Sequence, residues 1–367
     1  MSLDSAVRAH AAHAAEPQLG RTIVSIQLLR FVAALAVVLY HAHLTFARDA
    51  AGHPWLLSYL FDAGASGVHV FFCISGFVMV YTSYCRDAGR FSASDFLVKR
   101  LLRIYPIYWL VAAAYLAFHA IVPGLGYHLS AGELAGALLL TPDDASLVIG
   151  PAWTLAFEMY FYLCFCLFMT LGLRTGLLAM TGFFLLCVAS SVLLPGAPIA
   201  PLIRNPLLLE FVAGAWVGYV AIERPAWLAR PARALLLLAL VGFAATLLTG
   251  PERAPTLIAW GAPSVLLLAG AVGYEAGGRF PRRLGRYAYL GDGSYFLYLS
   301  HILLIDMVLL TPLSLLRGTT GGIVALTIVT TVAAVLIAVL AFDHVERPML
   351  RLLRQHLLAR RRAAPLP

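Results

Sequence analysis

The stretch "LLRFVAALAVVLYH", residues 28–41, holds one arginine, then ten residues without another charge, then a histidine. It lies in an apolar run of the roughly 20 residues that a bilayer crossing needs, and a plain anchor needs neither polar group. At ~1.5 Å and ~100° per residue, the eleven steps from Arg30 to His41 span ~16 Å and end within ~20° of the same helix face. Both side chains therefore address one side of a bundle, three turns apart.

The rest of the chain agrees with a membrane setting. Of its 367 residues, 61% are hydrophobic and 12% charged, against about 25% charged in a soluble domain. Glycine, proline and charge divide it into ten apolar segments, at 24–44, 66–84, 104–122, 151–171, 175–195, 206–222, 234–250, 255–273, 294–312 and 321–342. This pattern predicts an all-α, polytopic integral membrane protein with about ten transmembrane helices. With the N-terminus in the cytoplasm, 21 of the 26 Lys and Arg residues fall on the cytoplasmic side, four fall outside, and Arg30 lies within a span. That asymmetry predicts N-in, C-in topology. The organisation expected is a tail over 1–23, a transmembrane domain over 24–348 and a basic cytoplasmic tail over 349–367. No apolar core of a signal peptide precedes the first span, which is expected to stay as an anchor.

The net charge of +8 is spread over loops, so no nucleic-acid partner is expected. Cys73, Cys85, Cys164, Cys166 and Cys187 show no metal-ligand spacing and read as small apolar residues. Within the outside segment 123–150, Ser130 and Glu133 form a capping-box pattern that predicts a short helix on the outer interface, either a lid or a plain connector.

Ionisable groups inside a bilayer are costly and point to a pathway or a site. Arg30 and His41 alone also fit a snorkelling arginine and an interfacial histidine. "PAWTLAFEMYFYL", residues 151–163, puts Glu158 about two turns into its span, and counting from the outer face brings it near the depth of His41. A carboxylate beside an imidazole suits general acid–base chemistry, or simply ties two helices together. "GASGVHVFFCISGFVMVY", residues 64–81, adds His69 and Ser75 beside glycines that permit close helix approach. Arg100 and Arg103 share one helical face beside Lys99, where two guanidinium forks hold phosphates well; positive-inside anchoring explains them equally. Glu210, His301, Asp306 and "FDHVERP", residues 342–348, complete the intramembrane polar groups, and none shows metal-ligand spacing.

Six segments in order, "LLRFVAALAVVLYH", "GVHVFFCISGF", "RLLRIYPIYW", "WTLAFEMYFY", "GDGSYFLYLSH" and "VERP", make the chain resemble the acyltransferase-3 family of polytopic bacterial membrane acyltransferases. The opening segment is most similar to the branch that acetylates exopolysaccharides. The resemblance implies a ten-helix enzyme of the bacterial inner membrane, among membrane lipids, with no permanently bound cofactor. It implies transfer of an acyl group, usually acetyl, from cytoplasmic acetyl-CoA to a hydroxyl of an outward-facing glycan or lipid-linked sugar. Carried over by position, it makes His41 catalytic, Arg30 its functional partner, Arg100 and Arg103 the acyl-CoA phosphate site, and Glu158 the fourth-span glutamate. His69 stands where many members carry an aspartate, so that acid's role does not transfer. His69, Ser75 and His301 are expected to touch the acceptor or support the site. In the resulting mechanism His41 takes the sugar proton while Glu158 balances the imidazolium, with a covalent acyl intermediate as the alternative. A transporter or flippase using the buried charges as a proton relay, and a non-catalytic assembly scaffold, are the rival readings.

Overall fold

Residues 23–48, 60–85, 91–124, 126–353 and 355 are described by the computed structural model, and among them the chain is helical with no strand. The tail over 1–22, the C-terminal residues beyond 355, and Arg86 and Arg90 of the basic loops lie outside the described residues. The helices are α1 (Val24–Ala47), α2 (Ser66–Cys85), α3 (Ala93–Ile121), α4 (Ala131–Leu139), α5 (Trp153–Met169) and α6 (Leu173–Leu193). They continue as α7 (Leu208–Glu223), α8 (Ala232–Thr249), α9 (Ala262–Ala276), α10 (Ser294–Leu309) and α11 (Thr320–Ala341).

Each of the ten apolar segments forms a helix, but they are not equal. Counted with their adjoining turns, eight are long and apolar enough to cross a membrane. A ninth arises if α10 is joined to the preceding 282–292 segment, from which it bends by 54°. α7 has only 16 residues, about 24 Å of helix against a hydrocarbon layer of about 30 Å. The protein is thus a multi-pass membrane protein in which eight helices, among the described residues, are long and apolar enough to cross.

Backbone contact sets the register between helices. A Cβ on Gly76 would lie 1.8 Å from the Phe211 carbonyl oxygen, and one on Gly214 would lie 1.9 Å from that of Cys73, so α2 and α7 touch backbone to backbone. Gly67 meets the Ala33 carbonyl in the same way, with a virtual Cβ at 2.4 Å, and Gly64 meets that of Ala36. As numbers rise along α2 they fall along α1, so the two helices run antiparallel. Phe72 then stacks on Phe211 at 4.4 Å, and Phe211 on Phe161 at 4.7 Å, joining α2, α7 and α5. Cys73, Cys164 and Cys166 are free and buried in this packing, as expected of apolar residues.

The capping box forms. The Ser130 amide donates to Glu133 Oε2 at 2.7 Å, and the Glu133 amide donates to Ser130 Oγ at 3.2 Å. The resulting α4 does not lie at the end of α3, where an interfacial helix would sit. Its last carbonyls accept from the middle of α3: Tyr108 OH to Ala137 at 2.6 Å, Trp109 Nε1 to Leu138 at 2.9 Å, and Tyr105 OH to Leu139 at 2.9 Å. Trp109 is twelve residues before the end of α3, about 18 Å back along the helix. The segment between α3 and α5 therefore folds back alongside α3 before α5 begins. The Ala137 carbonyl also accepts from the Leu140 amide at 3.1 Å, and the three α3 donors complete a helix end that lipid could not satisfy.

Gly76→Val is expected to force α2 and α7 apart, at a cost of about 1–3 kcal/mol. Its melting temperature in detergent should fall by several degrees; an unchanged melting curve contradicts the backbone contact.

Candidate functional site

α1 carries Arg30 and His41 on one continuous helix. Its exposed N-terminal amides are met by a residue the sequence reading passed over: Glu275 accepts from Val24 N at 2.9 Å and Ser25 N at 2.7 Å. A carboxylate at a helix N-terminus answers both the unpaired amides and the helix dipole.

Near that end of α1 the charges converge. Arg30 Nη1 donates to Gln27 Oε1 at 3.3 Å, and Gln27 Nε2 donates to Asp292 Oδ1 at 2.6 Å. Arg103 and Glu158 share a cavity wall with Arg30. Arg103 Nη1 donates to Glu346 Oε1 at 2.5 Å, and the Glu346 side chain is wholly buried while that of Arg103 is 25% exposed. Arg100 Nη2 donates to Thr82 Oγ1 at 2.8 Å, with its guanidinium over the rings of Phe96 and Tyr162. Glu158 accepts from Ser75 Oγ at 2.8 Å and from Tyr162 OH. Arg30, Ser75, Arg100, Arg103, Glu158 and Tyr162 all line one cavity of about 130 Å³.

The expected pairing of Glu158 with His41 is not made. Gly67 lies against Ala33, and Ser75 is eight residues further along α2, about 12 Å toward the Arg30 end. Bonded to Ser75, Glu158 therefore belongs with Arg30. The depth count assumed that residue 151 starts at the outer face. Because α4 first folds back along α3, α5 starts deeper in the bundle. Its entry is held there by Tyr298 OH, which donates to the Pro151 carbonyl at 3.1 Å and contacts Thr154 Oγ1 at 2.9 Å.

His41 stands three turns away with a different partner. Its Nδ1 lies 3.0 Å from the Val37 carbonyl oxygen and 3.1 Å from Nε2 of His301, whose own Nδ1 lies 3.3 Å from the Leu297 carbonyl. His301 is 0% exposed, whereas His41 is partly exposed. The wall between this pair and the cavity includes Tyr298, which lines the cavity and has its ring 6.0 Å from that of His301.

His69 is drawn elsewhere. Its Nδ1 is 2.6 Å from Glu210 Oε1, both side chains are buried, and the pair ties α2 to α7 beside the close approach at Gly76. The cavity thus gathers five of the residues singled out from the sequence, Arg30, Ser75, Arg100, Arg103 and Glu158. His41 and His301 form a second cluster, and His69 belongs to neither. Glu346 and Asp292 lay within "VERP" and "GDGSYFLYLSH" without being assigned a role; a carboxylate at the end of an apolar segment, in a chain that also carries arginines inside its bundle, is the signal that points to them.

Comparison with known proteins follows the same line. A family model described as an acyltransferase domain matches residues 23–341. The exopolysaccharide production protein ExoZ of Rhizobium meliloti is 33% identical over 315 residues, covering 83% of this chain and 93% of its own length. Acyltransferase MdmB of Streptomyces mycarofaciens is 26% identical over 311 residues, covering 77% of this chain and 78% of its own. Nodulation protein 10 of Rhizobium leguminosarum bv. viciae is 33% identical over 161 residues, 38% of this chain and 42% of its own. No solved structure gives a significant match.

Glu346→Ala should leave the partly buried Arg103 without its carboxylate and cost up to about 3 kcal/mol, whereas the double change Arg103→Met with Glu346→Leu should fall much closer to the wild type. Thermal unfolding of the purified variants distinguishes the two. Equal losses for both would mean that the pair contributes nothing beyond its packing.

Proposed function

The chain belongs to the acyltransferase family whose model its residues 23–341 match, and from that premise we propose that it transfers an acetyl group from cytoplasmic acetyl-CoA to a hydroxyl of an exopolysaccharide or its lipid-linked precursor. The enzyme is a multi-pass O-acyltransferase of the bacterial inner membrane, with both termini in the cytoplasm. The single observation that carries this reading is the arrangement along α1. A cavity lined by Arg30, Arg100 and Arg103 lies at one level, and a partly exposed histidine lies three turns along the same helix. A donor with an anionic head and a reactive thioester at the end of a thin arm matches that separation. The likeness to an exopolysaccharide production protein over most of both chains supports a glycan acceptor.

In this mechanism the phosphates of the donor exchange with the partners that now hold the guanidiniums, the Glu346 carboxylate on Arg103 and the Thr82 hydroxyl on Arg100. Arg100 and Arg103 supply two planar forks for phosphate oxygens. Arg30, tethered through Gln27 to Asp292, holds a positive charge where the donor's arm enters the bundle. At the other end the acceptor hydroxyl gives its proton to His41 as its oxygen attacks the thioester carbon. The carbon–sulfur bond breaks, and the departing thiolate takes the proton from the imidazolium, which leaves the ester and free CoA. Transfer is direct. Glu158 acts at the donor level, where its carboxylate holds Ser75 and Tyr162 in the cavity wall.

Surface and secreted polysaccharides from cells lacking the gene are expected to lose an O-acetyl signal by NMR. The wild-type gene should restore it, and His41→Ala should lower transfer by about 10²–10⁴-fold without weakening acetyl-CoA binding. The Arg100→Ala, Arg103→Ala double variant should raise the half-saturating acetyl-CoA concentration about tenfold or more. Full restoration of the ester by His41→Ala would sink the base assignment, and polysaccharides unchanged by the deletion would favour a transporter or scaffold.

A further inference from the structure

The two histidines that face each other between α1 and α10 offer four ring nitrogens, three of which have a neighbour within hydrogen-bond distance. Each contact needs one hydrogen between two acceptors, so the positions of the protons can be worked out by elimination. His301 Nδ1 lies 3.3 Å from the Leu297 carbonyl oxygen, and the other backbone partner of the ring, Tyr298, is likewise a carbonyl. A carbonyl cannot donate, so the hydrogen sits on Nδ1 of His301, and in the neutral ring Nε2 is left as an acceptor. That Nε2 lies 3.1 Å from His41 Nδ1, which lies 3.0 Å from another carbonyl, that of Val37. Both neighbours of His41 Nδ1 are therefore acceptors, and the hydrogen in the middle must belong to His41 Nδ1.

The opposite assignment fails at two places. If His301 carried its hydrogen on Nε2, its bare Nδ1 would face the Leu297 oxygen, and the bare Nδ1 of His41 would face the Val37 oxygen. A doubly protonated His301 would repair the first contact but not the second, and it would place a cation at a position that is 0% exposed.

We propose that His301 is a positioning residue that, together with the Val37 carbonyl, shares the Nδ1 hydrogen of His41 and holds its ring in the tautomer in which Nε2 takes the acceptor's proton. The inference rests on the reading of His41 as the base. His301 is wholly buried and acts only through its partner. When the hydroxyl proton arrives on Nε2, His41 becomes a cation with a hydrogen on each nitrogen. Its Nδ1 hydrogen still points to Val37 and His301, and no other group has to gain or lose a proton. The Nε2 proton then leaves with the CoA thiolate, and the starting tautomer is restored. A neutral imidazole thus does for His41 what a carboxylate does in a serine–histidine–aspartate triad, holding the orientation without adding a charge to the apolar interior.

The test uses membrane vesicles carrying the full chain and [14C]acetyl-CoA as the probe, with label counted in host polysaccharide. His301→Leu keeps the volume and removes the acceptor. Its rate at saturating acetyl-CoA should fall on the order of 10²-fold, with the half-saturating concentration changed less than about twofold, because the donor's head binds three turns away. His301→Gln places an amide oxygen near the former Nε2 and should recover most of the rate, and it carries the test if the leucine variant does not accumulate. A leucine variant with wild-type rate, or a glutamine variant that binds donor normally yet is slowed on the order of 10²-fold, would overturn the proposal. A wild-type protein that labels no polysaccharide would instead overturn the function on which it rests.

Discussion

Three guanidinium groups inside an apolar bundle constrain everything around them. In a low-dielectric interior an uncompensated charge costs several kcal/mol, so each arginine has to be answered by a carboxylate or a hydrogen-bond acceptor. Arg103 has Glu346 from the turn that follows α11, Arg30 reaches Asp292 through Gln27, and Arg100 has the Thr82 hydroxyl. Glu158 from α5 joins the same wall through Ser75 of α2. Side chains from widely separated parts of the chain thus meet at one level, and the glycine contacts at Gly67, Gly76 and Gly214 let their helices come close enough to do so. In the proposed mechanism, a phosphate that displaces the Glu346 carboxylate finds the Arg103 fork already oriented, and part of the desolvation of the arginines has already been met by the fold.

The separation of this cluster from His41 gives the site its polarity. Arginine chemistry and imidazole chemistry occupy two levels of one helix, with Tyr298 in the wall between them. The arrangement suits a substrate whose charged end and reactive end are joined by a long neutral arm. On α1 the ten residues between Arg30 and His41 carry no Asp, Glu, Lys, Arg or His.

Much of this was legible in the sequence for local reasons. Apolar segments declare their helices because lipid tolerates little else, and all ten segments are helical. The capping box at Ser130 and Glu133 is a contact between near neighbours, and so is the shared face of Arg30 and His41. What escaped depends on contacts between distant parts of the chain. The depth of Glu158 was counted from a surface that α5 does not start from, because Tyr105, Tyr108 and Trp109 hold the end of α4 along the middle of α3. Their partners are backbone carbonyls, which carry no residue signature. The meeting of His41 with His301 bridges 260 residues, and no spacing rule reaches that far. His69 read as a polar group near the outer end, and only the position of Glu210 shows that it fastens α2 to α7.

The central claim is that the donor is held on one side of the membrane and the acyl group is handed over toward the other. Sealed inside-out vesicles bearing the chain, given [14C]acetyl-CoA from the outside, test it directly. Label should appear on polysaccharide enclosed in the lumen and protected from added hydrolases until detergent opens the vesicle. Label confined to glycan on the same face as the acetyl-CoA would contradict the account.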